Sequence, residues 1–115
     1  MTPYESYEYS ESVARSTISI QTFEITYAGS FGLEVPLGSH GNGPVTFHVQ
    51  STSNQAGVIY LVLADPNGKI LSHGFLGSNG GTFDVTLDNP PSGNYMLNVT
   101  ASIFDTTVLY ISWNE

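Results

Sequence analysis

The fold is decided by the apolar run Val58-Ile59-Tyr60-Leu61-Val62-Leu63-Ala64, which the turn sequence Asp65-Pro66-Asn67-Gly68 follows directly. Apolar residues fill both parities of this run, which is typical of a central strand covered on both faces. The turn sequence has an acceptor side chain first, proline second and glycine fourth, which predicts a type I turn. We therefore expect Lys69 to Phe75 to return as the partner strand of a hairpin.

Alternating apolar and polar residues recur on both sides of this hairpin, and turn residues interrupt them about every 8 to 12 positions, as in β-sandwiches and barrels. We predict an all-β chain of about eight strands and no helix, folded as a single antiparallel β-sandwich. Jelly-roll and immunoglobulin-like connections share this pattern, so both topologies stay open. The sandwich is predicted over residues 17–115, after a polar segment rich in Tyr, Glu and Ser at residues 1–16.

The first predicted strand changes parity along its length. Its early apolar residues, Ile18 and Ile20, have even numbers, whereas the later ones, Phe23 and Ile25, have odd numbers. A one-residue shift moves side chains to the opposite face of a sheet. We therefore expect a β-bulge near residues 21–22.

Two other residues carry positional information. Pro36 predicts an edge strand, because proline has no N–H group to give to a neighbouring strand. His48 alternates with Phe47 and Val49, so we expect it on the wetter face of its strand.

Charge and composition limit the classes of partner that the chain can bind. Ten acidic residues outnumber two basic ones, Arg15 and Lys69, and give the 115-residue chain a formal net charge of −8. Binding to nucleic acid or to an anionic membrane needs clustered Lys and Arg, so neither partner is expected. No apolar run approaches the roughly 20 residues of a membrane span, so we expect no membrane insertion. The chain contains no cysteine, which excludes disulfides and thiolate metal sites.

No catalytic motif is complete in the sequence. The three histidines, His40, His48 and His73, lack the spacing of a zinc site. The G-x-S-x-G sequence of serine hydrolases is absent. The segment around Gly68 and Lys69 lacks the first glycine and the Ser or Thr of a phosphate loop, and it also lacks the ligand pattern of an EF-hand. We therefore predict that the protein is not an enzyme.

Unpaired carboxylates leave one metal hypothesis open. Calcium takes about six to eight oxygen ligands, and the shortage of basic residues leaves most carboxylates without a cationic partner. The alternative is a solubilising set of charges on solvated faces. The candidate calcium ligands are Glu5, Glu8 and Glu11 in the leading segment together with Asp84, Asp88 or Asp105.

Four aromatic residues are candidates for ligand binding. Aromatic faces beside Asn and Asp side chains suit polyol ligands such as sugars. Most of these aromatic residues lie at positions predicted to face inward, so packing in the core is the alternative role. They are Tyr60, Tyr95, Tyr110 and Trp113.

Four segments together resemble a known family: Phe31–Pro36, Val45–Val49, Tyr60–Lys69 and Pro91–Val99. The stretch that contains them is similar to the bacterial pre-peptidase C-terminal domain, a secreted β-sandwich module attached to extracellular peptidases and collagenases. The acidic residues that the family often carries ahead of the Tyr60 strand are replaced here by uncharged ones. Some members bind calcium through an acidic leading segment, which the resemblance likens to the glutamates near the start of this chain.

Two functions follow as hypotheses. The first is a non-catalytic extracellular or surface module that binds a polymer or assists a secreted enzyme or surface structure. The second is a self-assembling structural subunit of a fibre, spore appendage or virion surface, whose residues 1–16 add as a strand to another copy. The expected partners are therefore an extracellular polymer or other copies of the chain. The first residues lack the pattern of a secretory leader, so we expect either a chain made without one or a mature form.

Overall fold

The computed structural model describes residues 18–38, 43–51, 57–77, 81–103 and 106–115. These residues form strands and turns without a helix, so no helix among them could cross a membrane. The eight strands are β1 (Ile18–Ile25), β2 (Gly29–Leu37), β3 (Val45–Ser51), β4 (Gly57–Ala64), β5 (Ile70–Leu76), β6 (Thr82–Leu87), β7 (Gly93–Ile103) and β8 (Thr107–Asn114).

The strands form two four-stranded antiparallel sheets, in the orders β1-β8-β3-β6 and β2-β7-β4-β5. The first strand pairs with the last, the second with the seventh, the third with the sixth and the fourth with the fifth. This nested pairing, wound into two sheets, is a jelly roll. The predicted all-β sandwich is confirmed, and of the two open topologies the structure has the jelly roll.

The core lies between the inner faces of the two sheets. Each strand alternates, so its inward side chains form the core and the others face outward. Tyr95 of β7 and Phe47 of β3 are the largest fully buried side chains, and their rings meet with centroids 5.3 Å apart. Burial of roughly 20 apolar side chains, each worth about 1.5–3 kcal/mol, is the main favourable contribution to folding.

The hairpin of β4 and β5 forms as predicted. The Gly68 N–H donates to the Asp65 carbonyl oxygen at 2.9 Å, and the Asp65 N–H donates to the Lys69 carbonyl oxygen at 2.9 Å. The Asp65 side chain also accepts the N–H groups of Asn67 and Lys69, at 2.9 Å each. The turn is thus stabilised from both the backbone and a side chain.

The prediction that β4 is covered on both faces is wrong. The strand is central, between β7 and β5, and Ile59, Leu61 and Leu63 are buried on its inner side. On its outer side Val58 is exposed and Tyr60 is half-buried. A jelly roll has only two layers, so the outer face of a central strand still meets solvent.

The predicted bulge in β1 is also wrong. The pairing of β1 with β8 is continuous, from Ile18 opposite Asn114 to Ile25 opposite Thr107. Ile18 and Ile20 point away from the core with exposed fractions of 61% and 69%. The change of parity therefore marks two apolar residues on the outer face, and the strand keeps one buried face throughout.

The other two positional predictions are confirmed. Pro36 lies exposed on β2, which is an edge strand. His48 lies on the outer side of β3, between the buried Phe47 and Val49.

Candidate functional site

An aromatic cluster lies on the outer side of β4 and β5. Tyr60 is opposite Phe75 in the hairpin register, and their ring centroids are 4.8 Å apart at an interplanar angle of 47°. The His73 ring lies 6.1 Å from the Tyr60 ring. Phe75 is 65% exposed. We call Tyr60, His73 and Phe75 the aromatic cluster.

Polar side chains of β7 lie beside the aromatic cluster on the same face. Thr100 is opposite Tyr60, and Asn98 is opposite Val62. Thr100 Oγ1 lies 3.4 Å from Ser30 Oγ on β2. The outer face of this sheet therefore changes from aromatic on β4 and β5 to amide and hydroxyl groups on β7 and at Ser30 of β2, and β2 also exposes Glu34.

This face has the chemistry of a shallow binding surface. Exposed rings offer apolar contact to the C–H faces of a ligand, and neighbouring amide and hydroxyl groups offer hydrogen bonds. No pocket opens anywhere in the described part of the chain, so a ligand would lie along the surface. The aromatic face of β4, β5 and β7 carries no Asp, Glu, Lys or Arg in its strands.

The outer face of the other sheet is polar and contains an ion pair. His48 Nδ1 and Asp84 Oδ1 form a short hydrogen bond between β3 and β6. Asp84 Oδ2 also accepts the Thr82 hydroxyl at 3.0 Å. Two residues away along the same strands, the Thr46 and Thr86 hydroxyls lie 2.9 Å apart.

The ion pair shifts the pKa of both partners. The hydrogen bond to Asp84 raises the pKa of His48. Partial desolvation lowers this pKa, but its effect is smaller. The same bond lowers the pKa of Asp84, because it favours the charged carboxylate. The pair lies on an open face, and no other titratable side chain contacts it among the described residues.

The four predicted aromatic binding residues do not form one platform. Tyr60 belongs to the aromatic cluster, whereas Tyr110 is 45% exposed on the outer face of the other sheet. Tyr95 is buried, and its hydroxyl donates to the Pro91 carbonyl oxygen at 2.6 Å. Trp113 is buried in the core. Most of the four were expected to face inward; Tyr95 and Trp113 do so, whereas Tyr60 and Tyr110 lie on outer faces.

The structure describes only two of the predicted calcium ligands, Asp84 and Asp88. Glu5, Glu8, Glu11 and Asp105 lie outside the described residues. Asp84 is bound to His48, and Asp88 is exposed after β6. The described residues contain no group of three or more metal-ligating side chains. Calcium binding therefore stays a prediction.

Sequence reasoning missed Phe75 and His73 as members of the aromatic cluster. Counting equal distances from the Asp65–Gly68 turn places His73, and not Phe75, opposite Tyr60. The irregularity at Leu63 and Ala64 shifts the register, so that Phe75 is opposite Tyr60 in the structure. The outward direction of both side chains could be found only after β4 was known to be uncovered.

Comparison with known proteins identifies the fold alone. No family model and no curated protein matches the chain. The chain is similar to part of the Bacillus licheniformis lipase BlEst2 in its propeptide form, with a TM-score of 0.59, 18% identity, and coverage of 90% of this chain and 23% of the lipase chain. The chain thus spans about a quarter of that protein.

More distant likenesses include two other structures. The C-terminal CBM6 of the laminarinase LamC from Zobellia galactanivorans has a TM-score of 0.44, with 15% identity over 88% of this chain and 93% of that one. A Bacillus endospore appendage structure, described as a family of disulfide-linked pili, has a TM-score of 0.40, with 10% identity over 85% and 88%. The resemblance to the pre-peptidase C-terminal domain is confirmed only as a shared β-sandwich fold.

Proposed function

We propose that this protein is a non-catalytic extracellular or surface module that binds a polymer along the outer face of the sheet β2-β7-β4-β5. The observation that carries the proposal is the pair of rings formed by the exposed Phe75 and the half-buried Tyr60, beside the polar side chains of β7. A monomeric protein rarely exposes such a patch without a use for it. The flat shape favours an extended ligand over a small molecule, which would need a concave site.

The charge of the face selects the class of polymer. Strands β4, β5 and β7 contain no charged residue, and the chain as a whole carries a net charge of −8. A polyanion would be repelled by the protein and would find no cation on this face. An uncharged polysaccharide fits, since its sugar rings can stack on Tyr60 and Phe75 while its hydroxyl groups bond to Asn98 and Thr100.

The test is binding of the purified full chain to insoluble neutral polysaccharides, such as cellulose, chitin, xylan and β-1,3-glucan. The variant Tyr60→Ala/Phe75→Ala should lose binding at least about tenfold, which corresponds to about 1.4 kcal/mol. Tyr110→Ala is the matched control, because it removes an exposed tyrosine from the outer face of the other sheet. It should bind as the unaltered chain does.

Three results would contradict the proposal: no binding to any of these polymers, equal binding by the double variant, or a loss of binding in the Tyr110 control. Fluorescence of Trp113 checks that each variant is folded, because Trp113 is the single tryptophan and is buried.

The self-assembling subunit is the second candidate function. Its strand-donating segment, residues 1–16, lies outside the described residues. The observation in its favour is that each sheet ends in two edge strands to which a strand could add. Light scattering of the full chain and of a form that lacks residues 1–16 tests it, and assemblies that persist after truncation would contradict it.

A further inference from the structure

The four edge strands differ in how they are protected against pairing. Proteins guard open edges with charged residues, proline or bulges, because an edge strand offers unpaired backbone groups to any other strand. Three edges, β1, β2 and β6, each carry one acidic residue, respectively Glu24, Glu34 and Asp84. The edge strand β2 also contains Pro36.

The fourth edge, β5, carries neither a charged residue nor a proline. Its sequence from Ile70 to Phe75 contains no charged residue and no proline, and a bulge interrupts the pairing with β4 only at its start. Ile70 and Phe75 are 64% and 65% exposed. Within the described residues, β5 is hydrogen-bonded to β4 alone as a strand neighbour.

Net charge points to the same edge. Two copies of a chain with a net charge of −8 repel each other wherever their acidic surfaces approach. The charged residues nearest to β5 along the chain are Asp65 and Lys69, one of each sign, in the turn that leads into it. The β5 edge is therefore the one where a second copy meets least repulsion.

We propose that two copies of this protein pair antiparallel through β5 and join their β2-β7-β4-β5 sheets into one continuous sheet of eight strands. A two-fold axis perpendicular to the sheet keeps the outer face of both copies on the same side. Opposite residues must then share parity, since side chains alternate between faces. A pairing centred on His73 satisfies this condition and places His73 opposite the partner's His73.

This pairing does not consume the aromatic cluster. Strands that pair at their edges stay in the plane of the sheet, so Phe75 and Tyr60 still face outward from both copies. The pairing rests on backbone hydrogen bonds and on the uncharged edge, and it does not depend on polymer binding. Two copies would present their aromatic clusters side by side, which would raise avidity for any repeating ligand.

The test is the oligomeric state of the full chain without any polymer, measured by sedimentation velocity from about 1 μM to about 1 mM, the range in which small interfaces associate. We expect a concentration-dependent shift from monomer to dimer. His73→Lys and His73→Glu should each weaken association at least tenfold. Position 73 lies directly opposite position 73 of the partner in this register, and diagonally opposite it if the register shifts by two residues. In both cases the introduced charges lie within about 8 Å of each other and repel.

An equimolar mixture of the two His73 variants is the decisive arm, because opposite charges at the axis should restore the dimer. Ile20→Lys is the matched control: it adds a charge to an exposed position of the β1 edge and should leave association unchanged. The proposal is overturned if the full chain stays monomeric at the highest concentration, or if the His73 variants associate as the unaltered chain does. It is also overturned if the mixture fails to associate or if Ile20→Lys abolishes association.

Discussion

Gly74 occupies a point of β5 where the two sheets come close together. A Cβ atom added there would lie 2.8 Å from Phe83 Cδ1 and 3.1 Å from Phe83 Cε1. Real Cβ atoms do not come so close to a ring, so Phe83 or the backbone would have to move. The absence of a side chain at position 74 is therefore a packing requirement between β5 and β6.

We expect Gly74→Ala to lower the free energy of unfolding by about 1–3 kcal/mol, the usual cost of overpacking a core. Urea unfolding followed by Trp113 fluorescence measures the change. Gly32→Ala is the control, because its nearest contact for a new Cβ would be an ordinary 3.6 Å. An equal loss of stability in the two variants would show that the contact with Phe83 does not set the cost.

The ion pair of His48 and Asp84 makes a prediction about titration. Removal of the carboxylate charge by Asp84→Asn should bring the pKa of His48 down toward its ordinary value of 6.5, because the bond to Asp84 is the main cause of its rise. Titration of the His48 ring protons by NMR measures this shift. Asp88→Asn removes a carboxylate that does not contact His48 and should leave the pKa of His48 in place.

The same pair makes stability depend on pH within a defined window. Since the pKa of His48 is raised in the folded state, its contribution is full below 6.5 and is lost as the pH rises through the raised value. Since the pKa of Asp84 is lowered, its contribution is present above 3.8 and is lost as the pH falls through the lowered value.

The stability difference between the unaltered chain and Asp84→Asn should therefore be largest near pH 5 and should shrink toward high pH. The effect is modest, because both side chains are partly exposed to solvent. Thermal unfolding at a series of pH values measures it. A difference that keeps growing above pH 8 would contradict the assigned ion pair.

Among the elements, the β4–β5 hairpin is closed by backbone hydrogen bonds and by one side chain. Asp65 accepts two backbone N–H groups within the turn. Asp65→Ala should lower the free energy of unfolding by about 1–2 kcal/mol, because two donors lose their acceptor. Chemical unfolding measures the loss. Asn67→Ala changes the same turn without removing an acceptor of these bonds and should stay within about 0.5 kcal/mol of the unaltered chain.

This hairpin also shows how far sequence reasoning reaches at the scale of an element. The turn from Asp65 to Gly68 was predictable because its determinants are local: an acceptor, a fixed φ angle and a glycine in the left-handed region, here at φ +87°. The exposure of Tyr60 was not predictable, because it depends on whether another layer covers β4. An apolar residue on an uncovered face looks the same in the sequence as one in the core.

The predicted bulge in β1 was wrong for the same reason. The change of parity between Ile20 and Phe23 predicts a bulge, which would bring Ile18, Ile20 and Ile25 onto one face. The structure keeps the register regular and leaves both isoleucines outside. Apolar residues on the surface are common in proteins, and alternation alone does not tell the two faces apart.

For the whole molecule, the sandwich was predictable but its connections were not. Eight alternating segments fit several topologies, and the choice depends on contacts between distant parts of the chain, such as β1 with β8. The aromatic cluster joins two neighbouring strands, but the pairing of Tyr60 with Phe75 depends on the register shift at Leu63 and Ala64 and could not be inferred from the turn alone. The ion pair of His48 and Asp84 depends on the pairing of β3 with β6 and could not be inferred either.

Net charge sets the response of the whole molecule to salt. With a net charge of −8, the compact state brings like charges closer together than the unfolded chain does. An increase in sodium chloride from about 10 mM to about 500 mM should therefore raise the melting temperature, because screening relieves this repulsion. A melting temperature that falls steadily with salt would show that attractive ion pairs dominate.

The same measurement addresses calcium. Magnesium chloride at equal ionic strength screens charges as calcium chloride does, but magnesium fits a site built for calcium less well, because it demands near-ideal octahedral geometry and loses its water reluctantly. If Glu5, Glu8 and Glu11 contribute to a calcium site, calcium should raise the melting temperature above the magnesium value, and Glu8→Gln should reduce that excess. Equal melting temperatures in the two salts would reject the calcium site.

The pairing of Ile18 with Asn114 has a mechanical consequence. These residues begin β1 and end β8, and they are opposite each other at one end of an antiparallel ladder whose hydrogen bonds run perpendicular to the strands. A tensile force that pulls the two residues apart would load one hydrogen-bonded pair at a time, as when a zipper opens. The protein should therefore yield at low force when stretched between these points, and should withstand far more when pulled along its strands.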